Sequence, residues 1–231
     1  MEDRVKRQLS FEGMEQAKIF YNELIWERRG IPFFEQNSLK GSYRIRSNEK
    51  KDLSEISLST ISPIPELSFL CLEGCNSLDL RILTVFSNLR HLELSNNNLT
   101  DITSIQEFEG LEILKLDHNQ INNISVISKL KNLKVLILSN NKIEDINPIK
   151  EMEKLETLNI DNNQIIDITP IKQLTNLKIL TASDNQISDT TVLHNMEHLN
   201  MIDLSKNKFA LEQRQALEKS LPQCKIYYEE N

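Results

Sequence analysis

The apolar positions of this chain repeat every 22 residues through most of its length. Each unit opens on a leucine, and the series is Leu67, Leu89, Leu111, Leu133, Leu155, Leu177 and Leu199. Leucines two residues apart, such as Leu136 and Leu138, show the period of a short strand with one buried face. Later apolar residues, such as Ile143, Ile146 and Ile149, come every third residue, which fits a 3₁₀ turn better than an α-helix. The pattern predicts a solenoid whose units each contain a strand, a turn, a short helical turn and a return segment.

Polar residues recur in the same register. The ninth position of the units holds Asn97, Asn119, Asn141, Asn163, Asn185 and Asn207, with Cys75 in the first unit. An inward asparagine can bond the backbone of its own coil and of the next one, so we interpret this column as structural. Recurring aspartates are interpreted as turn caps rather than catalytic pairs, and they are Asp101, Asp145, Asp167 and Asp189. Two positions later stand the predicted N-cap residues of the helical turns, which are Thr103, Ser125, Asn147, Thr169 and Thr191.

The unit pattern Leu-x-x-Leu-x-Leu-x-x-Asn-x-Ile-x-Asp-Ile-x-Pro-Ile-x-x-Leu resembles the 22-residue leucine-rich repeat of the internalin and phosphatase-regulator type. The resemblance covers Leu67 to Ile226. It implies an α/β solenoid with short parallel strands on the concave face and 3₁₀ or extended turns on the convex face. It also implies a choice of functions, since such chains include bacterial effectors that bind host proteins and regulatory subunits of phosphatases or other enzymes.

Two domains are predicted, an N-terminal segment over residues 1–50 and the repeat domain over residues 51–231. Apolar residues on one helical stripe predict a helix over residues 11–29, and a polar loop is predicted over residues 35–52. The helix has two interpretations: a cap for the first coil, which has no upstream neighbour, or a partner-binding or dimerising segment. The repeat domain is expected to open on an irregular coil with a strand at 53–58, and to close with a helix and a strand within residues 210–228.

Composition narrows the class of partner. The net charge is −7, and the repeat region is more acidic than residues 1–50, which argues against a nucleic-acid groove. We find neither a secretory signal nor an apolar run of membrane-spanning length. Three cysteines suit a reducing compartment. We therefore expect a cytoplasmic, monomeric protein with a protein partner, no nucleic acid and no membrane.

Catalytic and cofactor motifs are not found. The chain has five glycines and no glycine-rich phosphate loop. Cys71 and Cys75 are four residues apart, but we expect Cys71 to point outward and Cys75 inward, and no other Cys or His has zinc-ligand spacing. The sequence therefore predicts a non-enzyme without cofactor or metal.

Function is predicted on the outward side chains of the strands, which form the concave face. The candidate partner-binding residues are Phe69, His91, Glu93, Ile113, Lys115, Val135, Ile137, Thr157, Asn159, Ile179, Thr181, Met201 and Asp203. The third residues of successive units form one column, which is largely apolar and is predicted to continue to Gln223. The fifth residues form a second column, which is predicted to continue to Lys225. Either the third column forms an exposed apolar strip with an acidic rim, as protein-binding surfaces do, or its residues pack on one another under the solenoid rim. The predicted function is a non-catalytic protein–protein interaction module.

Overall fold

The computed structural model describes residues 42–52, 67–76 and 78–228. Within these ranges nine strands form one parallel sheet, and each strand pairs with the one before it in the chain. The strands are β1 (Ser42–Asp52), β2 (Phe69–Asn76), β3 (His91–Glu93), β4 (Ile113–Lys115), β5 (Val135–Ile137), β6 (Thr157–Asn159), β7 (Ile179–Thr181), β8 (Met201–Asp203) and β9 (Lys225–Tyr227). The predicted leucine-rich repeat solenoid is confirmed.

The opposite side of each coil is a short 3₁₀ helix, as the three-residue spacing predicts. These helices span Leu80–Val85, Thr103–Glu107, Ser125–Lys129, Asn147–Ile149, Thr169–Gln173 and Thr191–Asn195. The last coil replaces the 3₁₀ helix with an α-helix, α1 (Leu211–Ser220), in agreement with the helical composition of that stretch. Helix α1 packs against the preceding 3₁₀ helix.

A single apolar core runs through all the described coils. The central strand residues that face it are completely buried: Leu92, Leu114, Leu136, Leu158, Leu180 and Ile202. Each of these leucines lies beside its counterpart in the next coil, because the strands pair at a constant offset of 22 residues. Hydrophobic burial therefore acts along the stack, and a coil is stable only against its neighbours.

The asparagine column ties each coil to the one before it. The Asn119 Oδ1 accepts hydrogen bonds from the backbone N–H groups of Asn97 at 3.1 Å and Leu99 at 2.9 Å. Its Nδ2 donates to the carbonyl of Leu94 in the preceding coil and to that of Leu116 in its own coil, both at 2.9 Å. Equivalent bonds recur at Asn141, Asn163, Asn185 and Asn207. The structural interpretation of this column is confirmed, although the side chain of Cys75 lies outside the described residues.

The chain leaves each strand through a residue in the left-handed conformation. The residues at this eighth position are Gly74, Asn96, His118, Asn140, Asn162, Asp184 and Lys206, with φ between 50° and 73°. Glycine, asparagine and aspartate tolerate this conformation best, which explains why they dominate the column. The turn directs the next side chain, the ladder asparagine, back under the coil.

The predicted N-caps are wrong, whereas the aspartate turn caps are confirmed. Each 3₁₀ helix begins at the predicted cap residue itself, so that Thr103 is its first residue. The cap is made two residues earlier, where the Asp101 Oδ1 accepts a hydrogen bond of 2.8 Å from the Thr103 N–H. Side-chain oxygens accept the same bond in the later coils, and their residues are Asn123, Asp145, Asp167 and Asp189. The residue between, such as Ile102, is buried in the core and has no polar atom to offer.

Both ends of the sheet differ from the predicted outline. Strand β1 lies within the stretch predicted as a loop, and pairs in parallel with β2. At the other end Lys225 lies opposite Met201 and Tyr227 opposite Asp203. The third column therefore continues to Lys225 and not to Gln223, and the fifth column continues to Tyr227 and not to Lys225. The shift arises because helix α1 consumes more residues than a 3₁₀ helix. The predicted helix at 11–29 and the strand at 53–58 lie outside the described residues.

An aromatic cluster closes the C-terminal end of the core. The guanidinium of Arg214 on α1 lies 5.5 Å from the ring centroid of Phe209 and 5.2 Å from that of Tyr228, distances typical of cation–π contacts. The two rings meet edge to face with centroids 5.6 Å apart. Burial raises the pKa of Tyr228 to about 12. Tyr228 packs against the core, so this cluster covers the last coil.

Candidate partner-binding face

The predicted site residues lie in two adjacent columns on the concave side of the sheet. The third-position column consists of Phe69, His91, Ile113, Val135, Thr157, Ile179 and Met201, which are paired neighbours from strand to strand. All seven are half-buried, while the strand residues between the columns are buried. Since parallel strands are about 4.8 Å apart, this column spans roughly 29 Å.

Four residues give the third column its apolar character, and we call them the apolar row: Ile113, Val135, Ile179 and Met201. They form two adjacent pairs separated by Thr157. Ile137, in the fifth column of β5, adjoins the first pair and is also half-buried. At the N-terminal end the rings of Phe69 and His91 meet edge to face with centroids 4.4 Å apart. The column therefore offers apolar surface that is accessible in part, with its remainder packed on neighbouring coils.

The fifth column is buried at its N-terminal end, which the sequence prediction did not anticipate. Glu93 is 8% exposed, and Cys71, expected to point outward, is fully buried. The Glu93 Oε1 accepts a hydrogen bond of 2.7 Å from the Lys115 Nζ, and lies 2.9 Å from the His91 Nε2. Cys71 was expected outward from alternation alone, which does not reveal that a carboxylate on the next strand would lie against its thiol.

The surroundings of Glu93 hold it in the charged form. Burial by itself raises the pKa of Glu93, but hydrogen bonds from His91, Lys115 and Cys71, together with the charge of Lys115, outweigh it. The pKa of Glu93 is therefore well below its usual range. Glu93, His91 and Lys115 are thus occupied with one another, and they form a rigid, internally paired end of the candidate face.

Glu93 makes stability depend on pH in the acid range. A carboxylate with a lowered folded-state pKa stabilises the fold above its unfolded pKa of about 4.3, and this stabilisation is lost as pH falls below that value. We expect Glu93→Gln to lower the free energy of unfolding by about 2 kcal/mol at pH 7, because charged hydrogen bonds are replaced by neutral ones. The gap between wild type and variant should shrink steadily from pH 5 to pH 2 in urea titrations. Glu144→Gln, at an exposed position, is the control, and a gap that did not change with pH would contradict the assignment.

The C-terminal half of the face carries aspartates whose carboxylates also brace the turns. Asp161 accepts a hydrogen bond of 2.7 Å from the Ser183 N–H and one of 2.9 Å from the Thr181 hydroxyl. Asp203 accepts one of 2.9 Å from the Ser205 N–H. Two predicted site residues, Thr181 and Asp203, therefore make intramolecular contacts that position the face, and each also has accessible surface.

The register shift at β9 moves Lys225 from the predicted fifth column to the third, and adds Tyr227, which the column prediction missed. Lys225 adjoins Met201 and Tyr227 adjoins Asp203, and both side chains are exposed. The sequence signal that could have placed them is the length of α1, which exceeds that of a 3₁₀ helix. The candidate face thus ends in a lysine and a tyrosine.

Neither a metal centre nor a membrane segment is found in the part of the chain that the structure describes. No three His, Cys, Asp or Glu side chains there are grouped as metal ligands would be. No helix among those residues is long and apolar enough to span a bilayer. What the described face offers is therefore shape, apolar surface and charge.

Comparison with known proteins identifies the repeats. A family model for leucine-rich repeats in two copies matches residues 87–129 and 131–173, while no curated protein matches the sequence. The fold is similar to that of an internalin (InlF) of Listeria monocytogenes, with 28% identity and a TM-score of 0.69 over 80% of this chain and 56% of that one. Internalin C2 of the same organism shares 33% identity, with a TM-score of 0.61 over 67% of this chain and 66% of that one.

A third similar structure comes from another bacterium. A leucine-rich repeat protein of Leptospira interrogans shares 26% identity, with a TM-score of 0.67 over 71% of this chain and 43% of that one. The chain thus spans less than two thirds of the length of each of these three proteins. The likeness belongs to the repeats and to their stacking.

Proposed function

The chain is a leucine-rich repeat protein with internalin-like repeats, and from that premise we propose that it is a non-catalytic module that binds a partner protein through its concave face. The observation that supports this function is the half-buried apolar row beside polar columns. An apolar centre with a polar rim is the usual composition of a protein-binding surface. The stacked coils present it on a rigid backbone, so little ordering entropy opposes binding.

The proposal is tested by placing charge in the apolar row. In the double variant Ile113→Asp with Ile179→Asp, a bound partner would have to bury two unpaired carboxylates, which is costly. We expect at least a tenfold loss of affinity for proteins captured by the wild-type chain and identified by mass spectrometry. Binding is measured by calorimetry on the purified pair, and thermal melts confirm that the variant is folded.

A matched control carries the same substitutions away from the face. Ile166 and Leu211 are 59% and 62% exposed and lie outside the strand columns, so Ile166→Asp with Leu211→Asp adds the same charge. This control should bind as the wild type does. Captured proteins that tolerate the face variant, or that are lost equally from both variants, would refute the proposed site.

A second candidate is an internalin-like protein that binds a host protein. The similarity to two Listeria internalins favours it over the regulation of a phosphatase. The capture experiment separates the candidates when extracts of bacterial and of animal cells are compared. A partner that depends on the face and comes only from the animal extract would support host binding, and one found only in the bacterial extract would contradict it.

A further inference from the structure

We propose that the partner segment seated on the concave face carries aliphatic or aromatic side chains flanked on one side by lysines or arginines. This inference rests on the proposed function and specifies the chemistry of the partner. It follows from the charges around the apolar row, which differ between the N-terminal and the C-terminal ends of the strands.

One side of the apolar row is acidic. We call the following residues the acidic flank: Asp117, Asp161, Asp184 and Asp203. They occupy the fifth, seventh and eighth positions of the coils that begin at Leu111, Leu155, Leu177 and Leu199, and they are half-buried or exposed. Within the same columns from residue 95 to residue 206, the basic residues of the described chain are Lys115, His118 and Lys206, and Lys115 is paired with Glu93.

Three of the four carboxylates of the acidic flank accept hydrogen bonds, and none of the four is paired with a cation among the described ion pairs. Asp117 accepts from the Ser95 hydroxyl at 2.6 Å, and Asp161 and Asp203 accept from the groups described above. The opposite margin of the sheet, at the second position of the coils, is different. There the Lys134 Nζ and the Lys178 Nζ lie 2.6 Å from carboxylate oxygens of Glu112 and Glu156. The negative charges of Glu112 and Glu156 are therefore neutralised by lysines of the same chain, whereas those of the acidic flank are available to a partner.

The distances suit a single partner segment. Strand residues rise about 3.3 Å each, so the fifth and seventh positions lie roughly 7 and 13 Å from the third. A Lys or Arg side chain on the partner can reach the fifth position while an adjacent apolar side chain contacts the row, and a Lys or Arg further along the segment can reach the seventh. Complementary charge beside an apolar contact selects the partner and fixes its orientation.

The test uses a variant that removes charge and keeps the turns. The triple variant Asp161→Asn, Asp184→Asn and Asp203→Asn retains an oxygen acceptor at each position, and asparagine tolerates the left-handed backbone at residue 184. The matched control removes the same charge at exposed positions outside the columns by Glu144→Gln, Glu153→Gln and Glu197→Gln. Random displayed peptides of about 16 residues, longer when extended than the row, are selected on the wild-type chain.

We expect the selected peptides to be enriched in lysine or arginine next to apolar residues. A synthetic representative should lose at least tenfold in affinity for the acidic-flank triple variant and be unaffected by the control. Its binding to wild type should weaken between about 50 and about 300 mM NaCl, where the Debye length falls to about 6 Å.

The remaining outcomes overturn the inference in distinguishable ways. Peptides that are not basic, and that bind the triple variant but fail on the Ile113→Asp, Ile179→Asp double variant, refute the basic partner and leave the proposed function standing. Peptides that bind the triple variant and the double variant as tightly as they bind the wild type refute both the basic partner and the proposed function. Equal losses from the triple variant and its control would show a bulk charge effect, and a selection without binders would refute a segment of this chemistry.

Discussion

Replacement of Phe108 by alanine should lower the free energy of unfolding by about 3–5 kcal/mol. Phe108 is 1% exposed and is among the largest fully buried side chains of the described core. It lies where one coil returns toward the next strand, at the position that Phe86 and Leu130 occupy in the flanking coils. Since both neighbours are held by their own strands and 3₁₀ helices, the cavity cannot collapse fully. Urea denaturation followed by circular dichroism measures the loss.

Phe108→Leu is the matched comparison. The next coil carries Leu130 at this position, also completely buried, so the stack already accommodates leucine there. We expect a loss of about 1 kcal/mol, since most of the removed volume is refilled. Equal losses for the leucine and alanine variants would mean that the site depends on the aromatic ring itself rather than on filled volume.

The stacking of the coils could be predicted because it repeats. A constant spacing of 22 residues forces Leu114, Leu136 and Leu158 into one row, and a shift of register would turn these leucines to the other face of the sheet. The observed pairing has this offset from β2 to β8. Periodicity thus specified the strands, the 3₁₀ helices and the core together.

The ends could not be predicted because the repeat stops there. The register of β9 depends on how α1 packs on the preceding 3₁₀ helix, and the 22-residue spacing does not encode that path, although the length of the helical stretch hints at a longer last coil. Strand β1 is polar in sequence, and it is a strand because the edge of β2 offers free backbone groups that must be paired. Its pairing breaks between Arg46 and Lys51, so no regular apolar pattern marks it.

The candidate site was predictable to the level of columns. Alternation placed Ile113, Ile179 and Met201 on the concave face, where they lie. It could not distinguish an outward residue that is accessible from one that is buried by its neighbours, as Glu93 and Cys71 are. That distinction depends on contacts between strands, which a single coil does not contain.

Loss of one ladder asparagine should weaken the stack nearly as much as loss of a core side chain. Asn119 is 8% exposed, and its amide joins two coils through the bonds to Asn97, Leu99 and Leu94. Asn119→Ala leaves two backbone N–H groups without an acceptor in a site closed by the next coil. At about 1–3 kcal/mol for each unsatisfied buried group, we expect a total loss of about 3 kcal/mol. Asn122→Ala, at an exposed position of the same coil, should cost less than about 0.5 kcal/mol.

Amide exchange distinguishes this mechanism from a general loosening of the protein. The N–H groups of Asn97 and Leu99 donate to the deleted side chain, whereas the Leu94 N–H donates to the carbonyl of Lys115. In Asn119→Ala the first two should exchange faster than the Leu94 N–H, by more than the change in global stability accounts for. Uniform acceleration of all three would mean that the asparagine stabilises the whole stack without a specific role at this junction. Local acceleration would establish that each coil is held to the last by a side chain that reaches back across it, so that the rigidity of the concave face depends on buried amides as well as on leucines.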